Sequence, residues 1–249
     1  MKVWMQFAVV LLLSPTATLA AVYSQLAVGG GYECVVLISN PTPRVWQGVA
    51  GFHQGNHAEW LLDFEYGGTA YTQQGGLSLT LGAYSAARMI LSGGAGAEIG
   101  YFNIQGIEGS HDYEIAVSFF YRFSIDGKVF DSTGVPESDC RTSFALPVEF
   151  AGPVNTGLAW SPLFPQEPFD VSLALYDQTG QLVEAKTVPF EGHLARFFTE
   201  LFTDVPEGFL GTMLVDTPQV NLCVTALRLE QVEGGLQLTA VPPRWFALE

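Results

Sequence analysis

Ile115-Ala116-Val117, leading through Tyr121-Arg122 to Gly134-Val135-Pro136, is answered later in the chain. There, Leu222-Cys223-Val224 leads through Leu227-Arg228 to Ala240-Val241-Pro242. Arg122 and Arg228, like Val135 and Val241, stand 106 residues apart (228 − 122 and 241 − 135), with no gap between. Solenoid units repeat every 20–50 residues or roughly so, and a period twice that is one whole domain written twice. Duplicated β domains of an exported protein are binding or structural parts more often than enzymes, which sets the first functional expectation.

Working outward, the texture is all-β. Short runs rich in Val, Phe, Tyr, Leu and Ile are cut by Gly, Pro, Asn and Asp, the pattern of a sandwich with closely spaced turns. Val45–His53 and Ala58–Glu65 flank Gln54-Gly55-Asn56, and Phe169–Tyr176 and Gln181–Val188 flank Asp177-Gln178-Thr179-Gly180. In such turns the Asp side chain folds back on its own backbone and Gly supplies a positive φ. Asp126-Gly127 and Glu233-Gly234-Gly235 are two further hairpin signals. Leu194, Phe197, Phe198, Leu201 and Phe202 fall at i, i+3, i+4, i+7 and i+8, an apolar helical stripe that predicts a short helix over His193–Phe202. Its first-copy counterpart, Ala86–Leu91, runs into Gly93-Gly94 and reads as a strand. Arg88 and Arg196 align and read as arginines closing over a sandwich edge. The fold expected is two tandem immunoglobulin-like β-sandwiches, the second with one short helix: residues 21–139 and 140–249, preceded by a leader over 1–20.

That leader has Met1-Lys2 as a positive start, an apolar run over Val3–Leu13, a break at Ser14-Pro15, and Thr18-Leu19-Ala20 as a cleavage site. This is the pattern of a secretory signal peptide, and the apolar run is shorter than the ~20 residues a membrane span needs. Cleavage after Ala20 leaves 229 residues (249 − 20) and, with Lys2 removed, a formal charge of −16 in place of −15. So acidic a chain repels phosphate backbones and anionic headgroups, so nucleic acid and acidic membrane are excluded as partners. With 48% hydrophobic and 14% charged residues, the chain is a packed protein and not an acidic disordered tail.

Cys34, Cys140 and Cys223 are an odd number, so one thiol stays free or pairs between chains. Cys34 and Cys223 sit in apolar runs and read as buried inert thiols. A Cys34–Cys140 bridge is open to the sequence, which cannot establish the pairing.

Differences between the copies are where function is sought. Copy one carries extra residues over Leu62–Gly76, including Phe64, Tyr66, Gly67, Gly68 and Tyr71, which read as a Gly-rich loop bearing aromatics. Trp60, Phe64, Tyr66 and Tyr71 are therefore the candidate ligand-binding residues, able to stack on sugar rings. Trp46 and Trp160 lie at strand edges and are read as core, and Arg244-Trp245-Phe246 as a cover for the open end of copy two. A second insertion, Gly106–Asp112, carries Glu108, His111 and Asp112.

Leu26-Ala27-Val28-Gly29-Gly30-Gly31-Tyr32 followed by Ile38-Ser39-Asn40-Pro41 resembles the opening of a set of secreted bacterial proteins built from tandem immunoglobulin-like β-sandwich repeats. Gly192-His193-Leu194-Ala195-Arg196-Phe197-Phe198-Thr199-Glu200-Leu201-Phe202, with Gly208-Phe209-Leu210-Gly211-Thr212 and Val224-Thr225-Ala226-Leu227-Arg228, is similar to the signature that ends their second repeat. Trp160-Ser161-Pro162 departs from it, standing where the pattern has an Asn-Pro pair. The resemblance covers nearly all of the mature chain. It implies the fold and an exported location, and no activity.

Catalytic and metal chemistry find little support. His53 and His57 with Glu59 have the spacing that puts two imidazoles on one helix face, but here they straddle a hairpin tip; they could still face each other across the turn, yet the sequence indicates no further ligands for tetrahedral zinc. Ser110-His111-Asp112 are adjacent and cannot form a relay, and no Gly-x-Ser-x-Gly elbow presents a serine. Asp63/Glu65 and Glu108/Asp112 are carboxylate pairs of the kind any chain with 25 acids contains. Gly29-Gly30-Gly31 precedes a strand and not a helix, so it is no dinucleotide fingerprint. The expectation is an exported, non-enzymatic protein with no cofactor and no metal. Its role is extracellular or cell-surface binding, adhesion or structural support, with an extracellular protein or a glycan as partner. The alternative is a carbohydrate-binding or glycan-hydrolysing module. If no exposed aromatic platform or carboxylate cleft is present and edge strands are open, assembly by strand pairing becomes the better reading.

Overall fold

The computed structural model describes residues 21–54, 58–107, 109–125, 128–163, 167–217, 220–233 and 235–245. The leader, Gly55-Asn56 with His57, Glu108, the Asp126-Gly127 turn, Gly234 and Phe246 lie outside the described residues. The first half contains β1 (Ala21–Val28), β2 (Tyr32–Ser39), β3 (Trp46–Gln54), β4 (Ala58–Glu59), β5 (Leu61–Tyr66) and β6 (Thr69–Gln74). It continues with β7 (Gly76–Leu81), β8 (Ala86–Ser92), β9 (Glu98–Gly106), β10 (Ala116–Ile125) and β11 (Lys128–Val135). The second half adds β12 (Cys140–Arg141), β13 (Ser143–Ala151), β14 (Val154–Pro162), β15 (Phe169–Asp177), β16 (Leu182–Phe190) and β17 (Leu194–Phe197). After them come one short helix, α1 (Phe198–Leu201), then β18 (Phe209–Asp216), β19 (Leu222–Val232), β20 (Gly235–Val241) and β21 (Arg244–Trp245).

Every described ladder is antiparallel, and the fold is all-β with several packed sheets, a β-sandwich. In the first half one sheet runs β1-β9-β3 and continues to β7 and β4, while the other runs β11-β10-β2-β8-β5-β6. In the second half the order β13-β18-β15-β16 corresponds to the first of these. The order β20-β19-β14-β17 corresponds to the start of the second. There the two layers are joined into a single ten-stranded sheet because β13 turns directly into β14. The hairpins β10–β11 and β19–β20 hold the repeated sequence. Arg122 lies opposite Glu33 of β2 and pairs with it at 3.3 Å, and Arg228 pairs with Glu149 at 2.8 Å and Glu230 at 2.5 Å.

Alternation carries these strands. Along β18, Phe209, Gly211, Met213 and Val215 are buried, with exposed or half-buried residues between them, the period of a strand with one face on a core. The first core is aromatic: Tyr23, Phe102 and Phe119 have ring centroids 5.3–6.2 Å apart, and Phe52 lies 5.6 Å from Phe102 and 5.8 Å from Phe64. The second gathers Phe144, Trp160, Phe190, Phe198, Phe202 and Phe209. Trp46 and Trp160 are fully buried, in keeping with their reading as core, while Trp245 is 62% exposed on β21, paired beside Phe144.

Three expectations need correction. The stripe at 194–202 is not one helix: Leu194–Phe197 pair with Trp160–Gly157 of β14, and only Phe198–Leu201 turn helical. The ladder satisfies the backbone of the first four residues, and the helix begins where it ends. Cys223 is not an inert thiol but is bonded to Cys140, opposite it in the β12–β19 pair, so the bridge is not Cys34–Cys140. Cys34 is the free cysteine, wholly buried, its thiol donating to the Ala27 carbonyl at 3.0 Å, with burial pushing its pKa up. The residues 62–76 are not a loop but lie mostly in the paired strands β5 and β6.

The halves meet through buried groups. Ser24, Ser138 and Thr225 close a triangle of hydroxyls at 2.8, 2.9 and 2.9 Å, and His193 Nε2 lies 2.9 Å from the Ser24 carbonyl. Val22 and Tyr101 of the first half pack with Cys223, Cys140 and Leu163, and Leu227 and Leu238 complete the first core. A buried, fully bonded polar cluster fixes one arrangement, since each hydroxyl pulled out of register would lose its partner in a dry environment. Ser138 donates its backbone N–H to Val22, two residues before Cys140 pairs across to β19, so the chain passes from one half to the other over Ser138–Cys140.

Candidate binding surfaces

The insertion in the first half is a β-hairpin, β5–β6, that widens its sheet beyond β8. Its turn is Gly67-Gly68, with φ of 58° and 80°, the positive pair that a two-residue hairpin needs and that only glycine adopts without strain. The segment reads as a loop in sequence because Gly67-Gly68 interrupt it, Gly75-Gly76 end it, and Thr69–Gln74 carry little apolar patterning. In the fold it is held by six cross-strand pairs, from Tyr66 with Thr69 to Leu61 with Gln74.

The four predicted ligand-binding aromatics divide sharply. Trp60 is 2% exposed, donates from Nε1 to Glu98 at 2.9 Å, and lies over Gly100, where a Cβ would come within 2.7 Å of its ring. Phe64 is also 2% exposed and packs on Phe52. Tyr66 is half-buried against the same core, where burial first and Tyr71 second raise its phenol pKa. Tyr71 alone is open to solvent, at 39%, its ring stacked 5.4 Å from that of Phe64. Two of the four are therefore core, and the flat exposed platform a sugar ring requires is reduced to the edge of Tyr71.

What the hairpin does expose is backbone. β6 is the last strand of its sheet, every residue in it is exposed, and Thr69-Ala70-Tyr71-Thr72-Gln73-Gln74 contains no charge and no proline. Natural edge strands are blunted by such residues, by bulges or by a cover. Hydrogen-bonded and non-bonded pairs alternate from the turn outward. Thr69, Tyr71 and Gln73 thus aim their backbone groups at β5, and Ala70 and Thr72 aim theirs at solvent. The acids flanking it are occupied: Asp63 accepts from the Thr72 hydroxyl at 2.5 Å, and Glu65 lies 3.7 Å from Arg88. Arg88 and Arg196 are both exposed and make surface ion pairs, the latter with Glu200 at 3.6 Å.

His53 stacks on Tyr101 at 4.7 Å and lies opposite Glu59. Ser110 and His111 serve the loop before the 3₁₀ turn Asp112–Glu114. Ser110 Oγ accepts from the Gln47 N–H, and the His111 carbonyl accepts from Trp46 Nε1. Among the described residues no three His, Cys, Asp or Glu side chains gather as a metal site. No described helix is long and apolar enough to cross a membrane.

A cleft of about 220 Å³ opens between the halves, lined by Gln25, Ala27, Tyr32, Ile99 and Tyr121 on one side and Leu158, Ala195, Phe197, Leu227 and Leu238 on the other. Its walls come from residues more than 200 positions apart, so no local pattern announces it.

No family model matches the chain, and no curated protein matches it. Among solved structures, procruciferin, the 11S globulin from Brassica napus, superposes over 87% of this chain and 77% of that one at 7% identity and a TM-score of 0.26. A likeness so low carries nothing about the site.

Proposed function

We propose that this is an exported, non-enzymatic protein of two tandem immunoglobulin-like β-sandwiches that engages a partner protein outside the cell by adding the partner's strand to β6. The observation that carries the reading is the uncharged, proline-free, fully exposed edge of the inserted hairpin, present in the first half only. Main-chain bonds from Ala70 and Thr72 would supply affinity, and Tyr71 beside the strand would supply side-chain contact. The corresponding strand orders of the two halves support duplication. The Cys140–Cys223 bridge supports residence in an oxidising compartment, where such bonds persist. The chain's charge of −16 after cleavage favours a neutral or basic partner segment over a second copy of itself.

Ala70→Pro tests this. It deletes one outward N–H and leaves the inward ladder to β5 intact. In a cross-linking pull-down from the extracellular fraction, the wild type is expected to retain a defined partner that the variant loses. Equal retention by both would remove β6 from the account.

A further inference from the structure

We propose that the docking edge does not end with β6 but runs on through Gly75 along β7, so that the partner segment is a long, basic, extended stretch with a glycine at its middle. This rests on strand addition at β6 and lengthens it. The chain passes from the edge of one sheet to the edge of the other across a single residue. Gly75 donates its N–H to the Trp60 carbonyl at 3.0 Å, and its own carbonyl accepts from the Phe52 N–H at 2.8 Å. Trp60 in turn donates to the Phe52 carbonyl at 3.1 Å, so both partners lie on the same side of the strand. Gly75 has a φ of 80°, and a Cβ there would fall 2.7 Å from Glu59, so the corner needs glycine.

Alternation therefore continues through the corner without a break. Leu77 and Leu79 take the bonded places opposite Ala50 and Gly48 of β3, as Tyr71 and Gln73 do on β5. Ala70, Thr72, Gln74, Ser78 and Thr80 turn their backbone groups the other way. At the corner itself the Gly76 carbonyl is taken by the Gln73 side-chain amide, so an added strand has to bend there. Residues 69–81 make one edge of 13 residues (81 − 69 + 1), about 40 Å along the chain, where β6 alone offers about 20 Å.

Among the described residues, no strand pairs with β6 away from β5 or with β7 away from β3. Residues 66–87 contain no charge and no proline, so nothing in the sequence blunts either strand. The second half shows the contrast: β16, the last strand of its layer, carries Glu184, Lys186 and Pro189. Two rows of side chains flank the open edge. Tyr71, Leu77 and Leu79 stand on the core side, and exposed Ala70, Thr72, Ser78 and Thr80 on the other. An added strand continues both rows, apolar on one face and polar on the other. Charge narrows the polar row. Glu59 lies against Gly75, and Asp63 accepts from Thr72. Of the acids beside the edge, Glu65 meets a cation among the described residues, Arg88 at 3.7 Å. An acidic margin of this kind is complemented by Lys or Arg.

Fluorescence anisotropy tests this on the whole mature protein, with a capped, fluorescein-labelled peptide as long as residues 69–81. In it Lys or Thr alternates with Val about a central Gly. The wild type is expected to bind it, and to bind a version with Glu in place of Lys about tenfold more weakly. Ser78→Pro removes an outward N–H from β7 and leaves the ladder to β3 intact, and should weaken binding about fivefold. Should Ser78→Pro fail to fold, amide exchange in the wild type decides: the peptide should protect Ser78 and Thr80 together with Ala70 and Thr72. No binding by the wild type would overturn the proposal and leave strand addition at β6 to the pull-down. Weaker binding by Ala70→Pro, with Ser78→Pro unaffected and Ser78 and Thr80 still exchanging fast, would confine the edge to β6. Equal affinity for the Glu peptide would overturn the basic partner. Undiminished binding by Ala70→Pro would remove both readings together.

Discussion

Breaking the Cys140–Cys223 bridge gives a perturbation whose size follows from the chain. The two cysteines are 83 residues apart, and the loop they close spans β13 to β18. For a loop of that length, the chain-entropy relation gives roughly 4.5 kcal/mol at 25 °C, exerted mainly by restricting the unfolded state. Against the 5–15 kcal/mol or so by which folded proteins are stable, that is a large share. Urea unfolding with and without reductant measures it. With a slope of roughly 2–3 kcal/mol per molar, the midpoint should fall by about 1.5–2.3 M on reduction. Cys140→Ser should reproduce the fall without reductant, since Cys140 is only half-buried and the buried Cys223 keeps its packing against Val22 and Tyr101. Thiol counting supplies the control. The native oxidised protein should show no reactive thiol, because Cys34 is wholly buried, and the denatured oxidised protein should show one. A midpoint that moves by less than about 0.3 M, or three reactive thiols in denatured protein purified without reductant, would refute the reasoning.

Other outcomes follow from the same geometry. The Glu137 carboxyl is raised above its ordinary value, first by burial and then by the charges of Asp112 and Asp139. A raised carboxyl favours the folded state below its folded pKa and opposes it above, so stability should decline as pH rises through that window. Because Glu137 is an exposed residue and water screens its charge, Glu137→Gln should raise the melting temperature only slightly at pH 7 and leave it nearly unchanged at pH 4. Thr225→Val removes one corner of the hydroxyl triangle but leaves Ser24 and Ser138 bonded to each other, and a loss of about 1 kcal/mol in chemical denaturation is expected. Phe102→Ala, at the centre of the first core, should cost roughly 3–5 kcal/mol. For the glycan alternative, Tyr71→Ala should abolish retention on a glycan array with little change in melting temperature. Retention that persists in that variant would end the sugar-binding reading.

The sequence carried the architecture further than the site. Paired Arg122/Arg228 and Val135/Val241 marked two hairpins that occupy corresponding places in the strand order, and the Asp177–Gly180 turn formed as its residues dictate. Asp177 there accepts from the Thr179 hydroxyl and from the Thr179 and Gln181 N–H groups. Comparing the two halves of the sequence also singled out the stretch that forms the β5–β6 hairpin. Its structure was hidden because Thr69–Gln74 lies at an edge, with no buried alternation to write into the sequence. The apolar stripe at Leu194–Phe202 satisfied a helical period, yet pairing with β14 claimed its first four residues, a tertiary contact that local pattern does not encode. Trp60 and Phe64 looked like a recognition surface because a Gly-rich setting suggests exposure, whereas both side chains are buried in the first core. The cleft, assembled from Gln25 to Leu238 across both halves, left no local trace at all.

The central claim is that the outer edge of β6 is where a partner strand adds, and amide hydrogen exchange resolved by residue tests it most directly. In the protein alone, the Ala70 and Thr72 amides should exchange quickly while those of Tyr71 and Gln73, bonded to β5, are protected. In the complex with the captured partner, Ala70 and Thr72 should become protected as well. Fast exchange at both residues in that complex, with protection arising on another surface, would contradict the account.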